Sequence, residues 1–255
     1  MKKNLLNGVL LLKQLFAITV FTLIGINVMQ DLGNHVENQN VQMNILDFYS
    51  MLFINTQNPN IDYIDFRQPS TLLGIITILF TGAIYTSTHF LKFNKQYFYM
   101  VLIRYGNMKS YIREMQRKSL RNSLIFTLLL YVLLFITVFS LDKSIFWLNS
   151  SYSSYSMVTN LCYIFVYFLI LFLFIFTINR LMIYLNLIKG SVLAILLGLT
   201  MPVIILMIDI NQTKLNILSF DYNRFFLDSL SVAIILNVLI SILGKKLLNK
   251  YKLYI

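Results

Sequence analysis

Six stretches of the chain, each roughly 20 residues long, carry almost no charge, and their spacing constrains the fold more than any motif does. A helix needs about 20 mostly apolar residues to cross some 30 Å of hydrocarbon. Residues 14–30, 68–91, 122–141, 157–179, 190–208 and 225–244 meet that condition. The 255 residues are 58% hydrophobic and 12% charged, with a mean hydropathy of +0.71, where soluble domains carry about 25% charged residues. This balance excludes a soluble enzyme, a disordered chain and a secreted disulfide scaffold. The single cysteine, Cys162, cannot form an internal bridge, and with two histidines, His35 and His89, the side chains of most zinc and iron–sulfur sites are missing. The expected fold class is an all-α membrane protein with six transmembrane helices in one domain over residues 1–255.

Charge fixes the expected orientation, because Lys and Arg accumulate in cytoplasmic segments. With both termini in the cytoplasm, seventeen of the 21 cations fall inside, and only Arg67, Lys143, Lys214 and Arg224 fall outside. Of the ten acids, Glu114 alone is then inside. Five or seven spans would scramble this alternation. In a soluble chain a net charge of +11 would suggest nucleic acid; here it reports topology, and no nucleic-acid partner is expected.

Leu5, Val9, Leu12 and Phe16 share one helical face, so residues 2–15 read as an N-terminal amphipathic helix on the cytoplasmic membrane surface, or as an extension of the first span. The apolar run 181–188, between Arg180 and Lys189, either lengthens its neighbours or lies at the interface. The outer loop 31–67 holds five acids and one arginine, and Val41, Ile45, Phe48 and Leu52 give it a short amphipathic helix. Asp31, His35 and Glu37 have metal-binding side chains but read as a solvated cluster, and no metal site is expected. Pro202 should kink the fifth span or restart its outer half. The half-apolar segment after it, 209–228, is too short to span and suggests a re-entrant or interfacial element before the sixth helix.

The cytoplasmic loop 92–121 is more specific. Gly106-Asn107 interrupts a helical pattern on both sides, a glycine suited to closing one helix and an asparagine to capping the next. Lys109, Arg113, Arg117 and Arg121 lie four apart in one basic stripe, and Glu114 and Lys118 form a helical ion pair. Catalytic signatures are missing: no H-E-x-x-H, no G-x-S-x-G, and no G-x-x-x-x-G-K-[ST] for ATP. No catalytic residues and no bound cofactor are expected. Uncharged polar residues within the spans, Thr22, Asn27, Thr81, Tyr85, Thr88 and Asn237, with His89 at the inner end of the second, either pack helices or line a translocation path.

Six spans, an amphipathic N-terminus, a cytoplasmic elbow between spans two and three and a re-entrant element before span six resemble the permease subunits of bacterial ABC-2-type transporters. The strongest local match is Leu102-Ile103-Arg104-Tyr105-Gly106-Asn107-Met108-Lys109-Ser110-Tyr111. It is similar to the Arg-x-Gly-Ser-Arg segment, followed by an aromatic, of small permeases linked to peptide and bacteriocin export. Asn107 and Lys109 stand near the expected Ser and Arg, and Tyr111 where Trp is often seen. The resemblance implies a multi-pass subunit of the bacterial cell membrane, partnered by a dimer of ATP-binding subunits that hold ATP and Mg and by a second permease copy or sister permease. It implies that Arg104, Tyr105, Gly106, Asn107, Met108, Lys109, Tyr111, Arg113 and Glu114 couple to the ATP-binding subunit, and that the substrate is an amphipathic or antimicrobial peptide. A stand-alone immunity or sensor protein that sequesters a peptide is the alternative.

Overall fold

The computed structural model describes residues 12, 14–30, 49, 54–55, 69–87, 108–141, 157–211, 219–220 and 226–251. The described chain is all-α apart from one short ladder: α1 (Gln14–Gln30), β1 (Ile54–Asn55), α2 (Pro69–Ser87), α3 (Met108–Leu141), α4 (Met157–Lys189), α5 (Ser191–Asn211), β2 (Ser219–Phe220) and α6 (Phe226–Tyr251). Segments Lys109–Leu141, Leu161–Ile188 and Leu230–Leu247 are long and apolar enough to cross a membrane; Gln14–Gln30, Gly74–Thr86 and Val192–Ile204 are shorter apolar helices. The architecture is that of a multi-pass membrane protein.

Each apolar stretch read from the sequence holds a helix among its described residues, and α3 and α4 continue well past the charges that bound those stretches, α3 back to Met108 beside the Gly106-Asn107 pair. α3 has 34 residues and α4 has 33, about 50 Å each at 1.5 Å per residue, against ~30 Å of hydrocarbon. Residues 181–188 are therefore part of α4, one of the two readings the sequence left open. Gly190 ends α4 with φ 95°, a left-handed conformation that suits glycine, and its N–H bonds to the Asn186 carbonyl at 3.2 Å. α5 follows at once and runs through Pro202 without a break. One lost backbone bond does not interrupt a helix whose other bonds have no competing water in apolar surroundings. The amphipathic patterns at 2–15 and 41–52 lie almost wholly outside the described residues.

The chain divides into two compact units, of which the first comprises Met1–Ile78, Leu128–Phe168 and Leu218–Phe226. Here α1 meets α3 so closely that a Cβ on Gly25 would stand 3.0 Å from the Thr137 methyl. Tyr49, from the loop after α1, is 3% exposed, stacks on Tyr131 at 4.9 Å and donates its hydroxyl to the Tyr131 carbonyl at 3.1 Å. Tyr131 in turn meets the Phe168 ring edge-on. β1 pairs with β2 in parallel, Ile54 opposite Ser219, tying the loop after α1 to the segment after α5. Ser219–Phe220, within the segment expected to be re-entrant, is thus a strand; residues 212–218 and 221–225 lie outside the described ones.

The second unit comprises Leu79–Thr127, Leu169–Ile217 and Leu227–Ile255. Its contacts set the helix directions. Gly82 faces Ile175 and Thr86 reaches Asn179, so α2 and α4 run in parallel. Thr177 meets Asn237 and Arg180 meets Ser241, so α4 and α6 are parallel too. Gln116 bonds to Tyr184 and Ser123 to Asn179, which sets α3 antiparallel to α4. Met182 lies on Gly198, each eight residues from Gly190, so α5 also folds back along α4. Lipid is as apolar as the side chains, so close packing and interhelical hydrogen bonds hold such helices together. Gly82, Gly198 and Gly244 supply the close approaches, against Phe126 and Ile175, Met182, and the Tyr184 ring.

Candidate functional site

Two features of the second unit stand out, the first on the extended part of α3 and the second between α2, α3, α4 and α6. The first is the N-terminal third of α3. The helix opens at Met108, the residue after the Gly106-Asn107 pair; Arg104, Tyr105, Gly106 and Asn107 themselves lie outside the described residues. Lys109, Arg113, Arg117 and Arg121 are all exposed, four cations on one line, and Glu114 pairs with Lys118 at 3.6 Å. The opposite face is anchored. Tyr111, Ile112 and Met115 are buried in a cluster with Ile183 and Tyr184 of α4, closed by Leu187 and by Ile240 of α6. Tyr111 is 2% exposed. Its side chain belongs to the chain's own core, while Lys109 and Arg113 face outward. Gln116 donates to the Tyr184 hydroxyl at 2.6 Å, the same ring on which Gly244 rests.

The second feature is a belt of polar side chains between the helices. Asn179 is fully buried; its Nδ2 donates to Ser123 at 2.9 Å, and its Oδ1 lies 2.5 Å from the Thr86 hydroxyl. That hydroxyl also lies 2.6 Å from the Gly82 carbonyl and divides its one proton between the two acceptors. Two residues earlier on α4, Thr177 accepts from Asn237 Nδ2 at 3.0 Å and donates to the Leu173 carbonyl at 2.6 Å. The same Asn237 accepts through Oδ1 from Arg180, whose Nη2 donates to Ser241 at 2.8 Å. The Phe176 ring lies 5.3 Å from the Arg180 guanidinium carbon. Buried polar groups are costly unless paired, and every amide and hydroxyl of this belt has a partner. Arg180 differs: its Nε is buried without a hydrogen-bond partner, and the one carboxylate whose side chain is described, Glu114, is paired with Lys118.

The expected path residues fall in both units. Thr22 and Asn27 belong to the first unit, where the Thr22 hydroxyl turns back on its own helix carbonyls at Ile18 and Thr19. Thr81 and Tyr85 belong to the second unit with Asn237. Thr81 is buried, and Tyr85 tilts against Phe126 at 5.5 Å. Thr88 and His89 lie outside the described residues, as do Asp31, His35 and Glu37. Sequence reasoning missed Thr86, Ser123, Thr177, Asn179, Arg180 and Ser241 as a connected set. The available signal was the apolar run after Arg180, which makes that arginine part of a continuing helix rather than of a loop.

The chain matches no family model, no curated protein and no solved structure. Its class therefore rests on the fold: a small, all-α, multi-pass membrane protein.

Proposed function

We propose that this chain is the permease subunit of an ATP-driven exporter of the ABC-2 type, with six spans and both termini in the cytoplasm. It forms the translocation path and holds no ATP site of its own. A separate pair of ATP-binding subunits supplies ATP, Mg and hydrolysis. A second permease, identical or sister, completes the path. Amphipathic or antimicrobial peptides are the substrate class, exported outright or removed as self-protection.

The observation that carries this reading is the first third of α3. About 14 residues of a 34-residue helix exceed what the hydrocarbon needs. They expose a stripe of cations on one side and are locked on the other by Tyr111, Ile112 and Met115. A partner gripping the exposed side would move a rigid rod that continues without interruption into the membrane, and α4 and α6 with it. Energy would come from the partner's different affinities for ATP in its open and closed states. The directions of α2, α4 and α6, opposed by α3 and α5, support an in-and-out arrangement of six spans.

The test is purification of the tagged chain from its native membrane in mild detergent, followed by mass spectrometry. A near-stoichiometric companion with a G-x-x-x-x-G-K-[ST] sequence, lost on charge reversal at Lys109 and Arg113, supports the proposal. Recovery of the chain alone, under conditions that keep known transporter complexes together, rejects it in favour of a stand-alone peptide-sequestering protein.

A further inference from the structure

Arg180 ends the charge-free part of α4. The run before it, residues 157–179, is 23 residues long, about 35 Å of helix, slightly more than the hydrocarbon is thick. A span that fills this run brings the guanidinium to the level of lipid phosphates. α3 and α6 reach their nearest cations at the same end of the unit, Arg121 two residues from Ser123 and Lys245 one turn beyond Ser241.

The surroundings of Arg180 suit an anion. Asn237 and Ser241 hold the guanidinium at one edge, Phe176 covers a face, and no described carboxylate neutralises it. Along α4, Phe172 stacks on Phe176 with rings 3° from parallel and centroids 6.1 Å apart, which gives an aromatic ladder one turn per step up from the arginine. On α6, Ala233 and Gly244 are buried and Ile240 packs into the core, closing one side of the Asn237–Ser241 line. Ile234 and Val238, on the other side, are exposed, and so is Lys245. Only 17% of the apolar window of α6 is buried within the chain, against 39% for α3 and α4. A cation on the same flank as exposed apolar side chains suits a molecule with one anionic group and a long apolar tail.

We propose that Arg180, with Lys245, binds the phosphate of an anionic phospholipid, whose acyl chain lies along Phe176, Phe172, Ile234 and Val238. Two cations with no described acid between them favour a headgroup of net negative charge over a zwitterionic one, because a choline ammonium would be repelled. The arginine fork suits a phosphate, with which it forms paired charge-assisted hydrogen bonds. This inference does not depend on the transporter reading.

The test uses the full chain in a neutral detergent, with native mass spectrometry after addition of phosphatidylglycerol, phosphatidylcholine or millimolar inorganic phosphate. The wild-type chain should retain one phosphatidylglycerol in preference to phosphatidylcholine by roughly tenfold, with inorganic phosphate failing to displace it. Arg180→Gln should lose that preference, while Arg121→Gln, which removes an exposed cation on α3, should keep it within about twofold. Equal retention of the two lipids by the wild-type chain overturns the proposal without reliance on any variant. So does an Arg121→Gln loss as large as that of Arg180→Gln, which would mean diffuse attraction to cations. Displacement by inorganic phosphate overturns the lipid assignment and leaves a site for the soluble oxyanion.

Discussion

Asn179 of α4 donates its side-chain amide to the Ser123 hydroxyl of α3 at 2.9 Å, with both residues buried. Its carbonyl oxygen simultaneously faces Thr86 of α2, so one side chain joins three helices. Asn179→Leu keeps the size and removes both interhelical bonds, leaving Ser123 without its amide donor while Thr86 keeps the Gly82 carbonyl. Interhelical hydrogen bonds in membranes are worth about 0.6–2 kcal/mol, and the expected loss is about 1–2 kcal/mol. Thermal unfolding in detergent should register it, and Asn179→Gln should not restore stability, because the longer side chain cannot reach both partners at once.

Gly244 is set against the Tyr184 ring so closely that a Cβ would overlap it. Gly244→Ala should destabilise the chain by about 1–3 kcal/mol through overpacking. Adding Tyr184→Leu should recover part of that loss, a coupling that a double-mutant cycle measures. Additive losses would mean that α6 does not pack on Tyr184.

Tyr111 and Arg113 are two residues apart and should fail in different ways. Tyr111→Ala empties a buried site and should cost about 3–5 kcal/mol of stability. Arg113→Glu changes an exposed side chain and should leave stability within about 0.5 kcal/mol. The second variant is the one expected to insert normally and yet lose its ATP-binding partner. Unfolding curves and co-purification, measured on the same two proteins, separate the effects.

Burial pushes the Tyr49 phenol well above its usual range. The folded chain keeps it neutral, while the unfolded chain ionises it as pH passes about 10. Its contribution to stability is therefore fully present below about pH 10 and is lost as pH rises beyond that. Tyr49→Phe should remove this part of the alkaline decline at a cost of about 0.5–1.5 kcal/mol for the lost hydrogen bond to Tyr131. An unchanged alkaline profile would place the phenol in water.

Charge-free runs announced the helices, because apolar length is what a bilayer selects and it is written locally in the chain. Helix ends were less legible. Arg180 read as the end of a span, yet α4 continues because Ile183, Tyr184 and Leu187 have Tyr111 and Met115 to pack against. The apolar run 181–188 allowed that continuation, but the partners that select it lie about seventy positions earlier. Tyr111 illustrates the same gap: the resemblance gave it a part in coupling, and nothing local announced its burial against α4. Asn237 was singled out as a polar residue in a span, but its partners Thr177 and Arg180 lie about sixty positions earlier. Only the parallel packing of α4 and α6 brings them together. The pairing of Ile54 with Ser219 was equally out of reach, since two-residue strands carry no periodicity.

The central claim, that the first third of α3 is gripped by an ATP-binding subunit, is tested most directly by photocrosslinking in native membranes. A benzophenone amino acid replaces Arg113, which is exposed on that segment, or Leu128, an exposed apolar residue further along the same helix. The account predicts a crosslink from position 113 to a protein carrying G-x-x-x-x-G-K-[ST], and crosslinks to lipid alone from position 128. Lipid alone from both positions would contradict it.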